Sequence, residues 1–241
     1  MKLDILVFAS HPDDAELSCS GTIAQHVKLG KKVGVVDLTR GELGTRGTPE
    51  TRDAEAKVSS KILGLSAREN LGFADGFFEN DKVHRLEIVK MIRKYQPEIV
   101  LANALEDRHP DHGRGGKLVS DAIFLSGLRK VETRLENQTQ EPWRPKTVFH
   151  YMQDRLFIPD LVVGFGQAEM DIKIASIKAF KTQFYDPNDQ SGEPQTYIST
   201  PEFFESITGR ARELGKSIGA EYGEAYASEK IIGVSDLSIL T

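Results

Sequence analysis

The chain has 241 residues, with 31 basic and 36 acidic side chains and a formal charge of −5. That length suits one large α/β domain spanning 1–241, and its scattered basic residues lack the electrostatic footprint of a nucleic-acid binder. No apolar run approaches the ~20 residues of a membrane-spanning helix, and the lone Cys19 permits no internal disulfide.

The predicted elements alternate from the start. Leu3–Ala9 is a short apolar run of buried-strand character, and an amphipathic helix follows from about Ala15 to Leu29, stopped by Gly30. The chain thus opens directly on a strand, without a signal-peptide pattern, so a reducing, cytoplasmic setting is expected. Cys19 falls on this helix as a small buried residue. Lys32–Thr39 is the second strand, and Arg40–Gly47 is a glycine-rich loop. Thr48-Pro49 then caps a helix running to Leu63 before Gly64. A short strand is expected at Asn70–Phe73. Apolar residues at 83, 86, 89 and 92 mark a helix that Pro97 ends, and Ile99–Ala104 is the next strand.

The second half continues with a helix over Gly115–Leu128, a polar excursion over Val131–Pro145, and strands at Val148–Met152 and Leu161–Phe165. A helix near Met170–Thr182, a long lid-like loop over Gln183–Thr200 and a helix over Glu202–Lys216 complete the reading. Alternating β and α elements predict a doubly wound, mainly parallel, Rossmann-like sheet with helices on both faces.

Two packets of ionisable residues follow buried strands: His11-Pro12-Asp13-Asp14 after the first, and His109-Pro110-Asp111-His112 after Ile99–Ala104. Each packet alone also describes something ordinary, a capped helix N-terminus or a surface loop. Together they lie at the carboxyl ends of two strands, where open α/β sheets bind ligands. A catalytic zinc takes three N or O ligands and keeps an open position. His11, Asp14 and His112 supply such a set, which iron or manganese would also accept. That leaves Asp13 as candidate general base and His109 to polarise or protonate what develops during attack.

The glycine loop is no dinucleotide fingerprint. It reads G-x-x-G-x-x-G and follows the second strand instead of the first. Arg40, Arg46 and Arg52 around it suit hydroxyls or carboxylates of a polar substrate.

His11-Pro12-Asp13-Asp14-Ala15-Glu16, the loop Gly41–Gly47 and His109-Pro110-Asp111-His112 resemble the LmbE-like (PIG-L) zinc N-acetylglucosamine deacetylases, over nearly the whole chain. The loop, the stretch Gln183–Pro187 and the tail Ile218–Tyr226 are similar to one subgroup, the bacillithiol biosynthesis deacetylases, which act on N-acetylglucosaminyl malate. The resemblance implies one zinc per chain on His11, Asp14 and His112, with Asp13 as base and His109 facing the developing oxyanion. It also implies that Asp111 orients His109, that Arg52 contacts sugar hydroxyls, that Tyr197 closes over the site, and that the chain forms a trimer or hexamer. Malate calls for a further cation, with Arg46, Arg108 and Arg155 as candidates. Relatives commonly carry a His or other polar residue around Tyr151–Arg155, a departure that bears on recognition at the far end of the pocket.

Two other readings compete with the malate substrate. The nearer is a deacetylase or amidase acting on another acetamido sugar or a thiol conjugate. The more distant is a metal- or nucleotide-binding protein without hydrolytic activity, which would have no use for a base such as Asp13.

Overall fold

A computed structural model describes residues 1–240. Its centre is a seven-stranded sheet in the order β3-β2-β1-β4-β7-β9-β8, formed by β1 (Ile5–Ala9), β2 (Val33–Thr39), β3 (Ala67–Phe73), β4 (Ile99–Ala102), β7 (Thr147–Tyr151), β8 (Leu161–Phe165) and β9 (Tyr222–Ser228). Strands β3 to β7 pair in parallel, whereas β9 runs antiparallel to both β7 and β8. The expected doubly wound, mainly parallel sheet is therefore what forms.

Every residue of β1 and β2 is buried, which explains why these strands read as unbroken apolar runs without alternation. The pleat sends Leu6 and Phe8 to one face, where α3 (Lys82–Tyr95) and α4 (Pro110–Ser126) contribute Ile88, Ile92, Leu118 and Ala122. Ile5, Val7 and Ala9 point to the other face, against Ala15, Cys19 and Ile23 of α1 (Asp14–Lys28). Helices α2 (Pro49–Leu63), α5 (Gln167–Lys178) and α6 (Pro201–Ser217) complete the set. Each fully buried side chain of this size contributes roughly 1.5–3 kcal/mol.

Several boundaries depart from the sequence reading. Strand β3 begins at Ala67, pairing from Gly34 of β2, and its charged, partly exposed early residues hid that start: Arg68 reaches in to Asp37 and Glu16, and Glu69 binds Lys94. Helix α4 begins at Pro110, with His109 as its N-cap. The polar excursion contains a two-residue hairpin, β5 (Arg134–Leu135) and β6 (Gln138–Thr139), turned by Glu136 and Asn137 at positive φ. Strand β9 was not anticipated. Its Gly223, Glu224 and small residues carry no apolar run, yet it slots between β7 and β8.

Glu224 has a specific task there. Its buried carboxylate accepts from the N–H groups of Gly21 and Thr22 in α1, and from Lys173 Nζ of α5 at 2.7 Å. Lys173 also donates to the carbonyls of Glu16 and Leu17. The pair thus pins α1, whose first turn carries Asp14, against α5 and β9. Removing one member of a buried pair strands the other charge at a cost of about 3–5 kcal/mol. Lys173→Met is expected to lose about that much in urea unfolding, and Lys173→Met with Glu224→Leu to recover most of it. A single variant as stable as wild type would show that the pair contributes nothing.

Candidate active site

Strand β1 lies between β2 and β4, so the chain leaves it in one direction and later returns on its other side. That reversal opens a crevice at the carboxyl ends of β1 and β4. Both ionisable packets sit there. Imidazole centroids are 4.7 Å apart for His11 and His109, 5.5 Å for His11 and His112, and 5.1 Å for His109 and His112. One ring nitrogen from each falls within 4.8 Å of the others.

The ring orientations follow from carboxylates behind them. His112 Nδ1 lies 2.6 Å from Asp107 Oδ2, which leaves Nε2 facing Asp14 Oδ1 at 3.2 Å. His11 Nε2 lies 3.0 Å from Asp75 Oδ1 and 3.3 Å from Asp111 Oδ2, which leaves Nδ1 on the side of Asp14, at 3.6 Å. Carboxylates that hold the far nitrogen of a ligating imidazole in this way are the usual support of a metal site. The donor set therefore fits a borderline cation such as zinc: two backed imidazoles with the Asp14 carboxylate between them, Oδ1 toward His112 and Oδ2 toward His11. Besides the three imidazoles, His11, Asp75 and Asp111 place their donor atoms within 4.8 Å of one another.

Asp13 stands at the N-cap of α1 with φ at 121°, a backbone region L-residues rarely adopt. Such strain costs of order 1–3 kcal/mol and needs support from its surroundings. Arg52 supplies it, donating Nη2 to Asp13 Oδ2 at 2.8 Å and to the Pro12 carbonyl. Burial raises the Asp13 carboxyl to about 7 against the opposing charge of Arg52, although a divalent cation nearby would draw it down. Oδ1 of Asp13 makes no hydrogen bond among the described residues. His109 accepts the Asp111 backbone N–H on Nδ1 at 3.2 Å, which puts its proton on Nε2. Burial, then the nearby His11 and His112, lower its pKa. Its neutral form is favoured.

Three expectations change here. Asp111 does not reach His109 with its carboxylate, which is taken by His11, by Arg114 at 2.6 Å and by the Gly76 N–H at 2.8 Å. Its backbone N–H is what contacts His109. Arg52 is buried beneath Asp13 and supports that residue, whereas a sugar contact was expected. Arg46 is buried too, pairing with Asp189 and, at 3.6 Å, with Glu193, so it clamps the 183–200 loop.

Tyr197 is half exposed. It donates to Asp154 Oδ1 at 2.9 Å and lies under Arg108. With Arg108 and Arg210 it lines a cavity of about 730 Å³, counting its open mouth, that also reaches Asp14 and His112.

Asp75, Asp107, Asn103 and Gln153 were missed in the sequence reading. Asp75 lies two residues beyond β3, where a search for polar groups past each strand would have found it, whereas Asn103 falls within the run 99–104 read as strand.

The PIG-L family model, described as GlcNAc-PI de-N-acetylase, matches residues 6–123. The conserved protein TT1542 of Thermus thermophilus is 36% identical, with a TM-score of 0.85 over 96% of this chain and 97% of its own. The chain belongs to the PIG-L family. Diacetylchitobiose deacetylase of Thermococcus kodakarensis is 27% identical over 230 residues, 91% of this chain and 80% of that protein. Within the PIG-L fold reactions vary. The 4-carboxy-2-hydroxymuconate hydratase of Pseudomonas putida shares it, with a TM-score of 0.77 over 98% of this chain and 100% of its own, at 21% identity. Fold alone therefore does not name the reaction.

His11→Ala and His112→Ala are each expected to weaken zinc binding at least ~100-fold by chelator competition, because each removes a ligand. Asp13→Asn is expected to stay within about threefold of wild type, since it spares all three ligands. Full metal occupancy in His11→Ala would mean the ligand set is wrong.

Proposed function

We propose that this chain is a zinc-dependent N-deacetylase of a glucosamine conjugate, with N-acetylglucosaminyl malate in bacillithiol biosynthesis as substrate and residues 1–241 as one deacetylase domain. The observation that carries the reading is Asp14 set between His11 and His112, 3.6 and 3.2 Å from their ring nitrogens, beside Asp13, whose Oδ1 is unclaimed. A metal-storage or sensor site has no need of that extra carboxylate. Membership in a family whose model is described as a de-N-acetylase supports the same chemistry, as does the likeness to a diacetylchitobiose deacetylase.

In this reading His11, Asp14 and His112 hold the metal, which when bound supplies Lewis acidity and brings a water's pKa toward neutrality. Asp13 accepts the proton of the attacking water on Oδ1 while Arg52 fixes its other oxygen. His109 then presents Nε2–H to the oxygen that gains charge, as a neutral donor rather than an imidazolium. Asp13 returns its proton to the departing amine, so one carboxylate serves first as base and then as acid. Asp75, Asp107 and Asp111 hold the imidazoles in the required tautomers. Of the arginines considered for a malyl carboxylate, Arg46 is committed to Asp189, whereas Arg108 lines the cavity that reaches Asp14. Arg108 pairs with Asp154 at 3.1 Å, and its place on the cavity wall makes it the proposed contact.

Acetate release by the zinc-loaded protein tests this. N-acetylglucosaminyl malate is expected to exceed N-acetylglucosamine and diacetylchitobiose at least ~10-fold in kcat/KM, a difference of about 1.4 kcal/mol. Equal rates would remove malate and leave the deacetylase. No release from any of them would remove both. Asp13→Asn is expected to lower kcat about 10²–10⁴-fold, the usual contribution of a general base. Turnover near wild type in that variant would exclude Asp13.

A further inference from the structure

Asn103 is the first residue beyond β4, and its side chain is almost fully buried. Its Oδ1 accepts from Ser10 N at 2.9 Å and from Ser10 Oγ at 3.1 Å, at the end of β1. Its Nδ2 donates to Asp14 Oδ2 at 3.0 Å and to Gln153 Oε1 at 3.0 Å. Gln153 in turn is anchored by the Ala104 N–H at 3.2 Å. Every donor and acceptor of the Asn103 amide is thus used, and the amide's orientation is fixed by Ser10 on one side and Gln153 on the other.

The consequence falls on Asp14. Its Oδ2 is already held by two neutral donors, Asn103 Nδ2 and the His11 N–H at 3.0 Å. Oδ1 is turned to His112 Nε2 at 3.2 Å; Oδ2 lies 3.6 Å from His11 Nδ1, but those two donors already occupy it. We propose that Asn103 is a positioning residue that makes Asp14 a one-oxygen ligand, holding Oδ2 away from the cation and keeping a coordination position open for water and substrate. The inference rests on the metal reading above and goes beyond it, because the ligands alone do not decide how Asp14 binds. A carboxylate released from Asn103 would be free to turn and offer both oxygens. That would crowd the cation and remove the open position a catalytic site needs.

The test is metal binding by the intact protein, without reference to turnover. Zinc affinity is measured by chelator competition, cobalt(II) coordination by its visible spectrum, and folding by thermal melting. Asn103→Asp keeps the shape but sets an oxygen against Asp14 Oδ2 and Gln153 Oε1. Asn103→Ala deletes the amide. Gln153→Leu leaves Asn103 in place but removes the acceptor that aims it.

The first two are expected to weaken zinc about 10–100-fold, the usual effect of losing a support behind a ligand. They are also expected to lower the cobalt band intensity, as coordination number rises. Gln153→Leu should move both readouts the same way by a smaller amount. A role confined to stability would lower the melting temperature and leave the cobalt spectrum unchanged. Folded Asn103→Asp with wild-type zinc affinity and an unaltered spectrum would overturn the proposal. If neither Asn103 variant folds, an unchanged Gln153→Leu overturns it. A wild-type protein that binds no zinc would instead bring down the metal reading itself.

Discussion

The pairing of β1 with β4 is the constraint on which the site depends. Ile5, Leu6 and Val7 lie in register with Ile99, Val100 and Leu101, so the turns that follow the two strands start side by side. A shift of one residue would turn every side chain on β4 to the opposite face. It would also carry Asn103 away from Ser10 and His112 away from Asp14. Both strands are buried on both faces, and the cost of exposing those apolar residues fixes the register. The hydrophobic core therefore sets distances between imidazoles that belong to segments about a hundred positions apart in the chain.

Above that register, buried polar groups do the finer alignment. Glu224 and Lys173 pin α1 from below, and Glu16 with Arg68 ties α1 to β3. Asn103 ties α1 to β4, and Arg52 holds Asp13 in a backbone conformation it would otherwise leave. Buried charges of this kind are costly unless paired and hydrogen-bonded. Here most are, and they surround the two turns that carry the candidate chemistry. Asp75, Asp107 and Asp111 each face an imidazole in the crevice, so the rings are oriented before any cation arrives.

Much of this was legible in the sequence. Unbroken apolar runs located β1, β2 and β4, and the packets beyond them located the crevice, because burial on both faces leaves a clear signature. Strand β3 was read short, because its charged residues, such as Arg68 and Glu69, are satisfied by ion pairs across the fold that no local pattern reveals. Strand β9 was hidden for a related reason: Glu224 reads as a surface residue until Lys173, Gly21 and Thr22 surround it. At the site, residue types indicated which groups bind or transfer protons, but not which partners they choose. Arg52, Arg46 and Asp111 were all expected among the functional residues. Each turned out to be held by a neighbour distant in sequence or by backbone: Asp13 beneath Arg52, Asp189 beside Arg46, and the Gly76 N–H with His11 on Asp111.

The central claim is that both turns close on one cation through His11, Asp14 and His112, with Asp13 and His109 left free of it. Anomalous diffraction at the zinc absorption edge, from crystals of the zinc-loaded protein, tests this most directly. The account predicts a single strong peak bonded to those three side chains. A peak held instead by His11, Asp75 and Asp111, or no peak in the crevice at all, would contradict it.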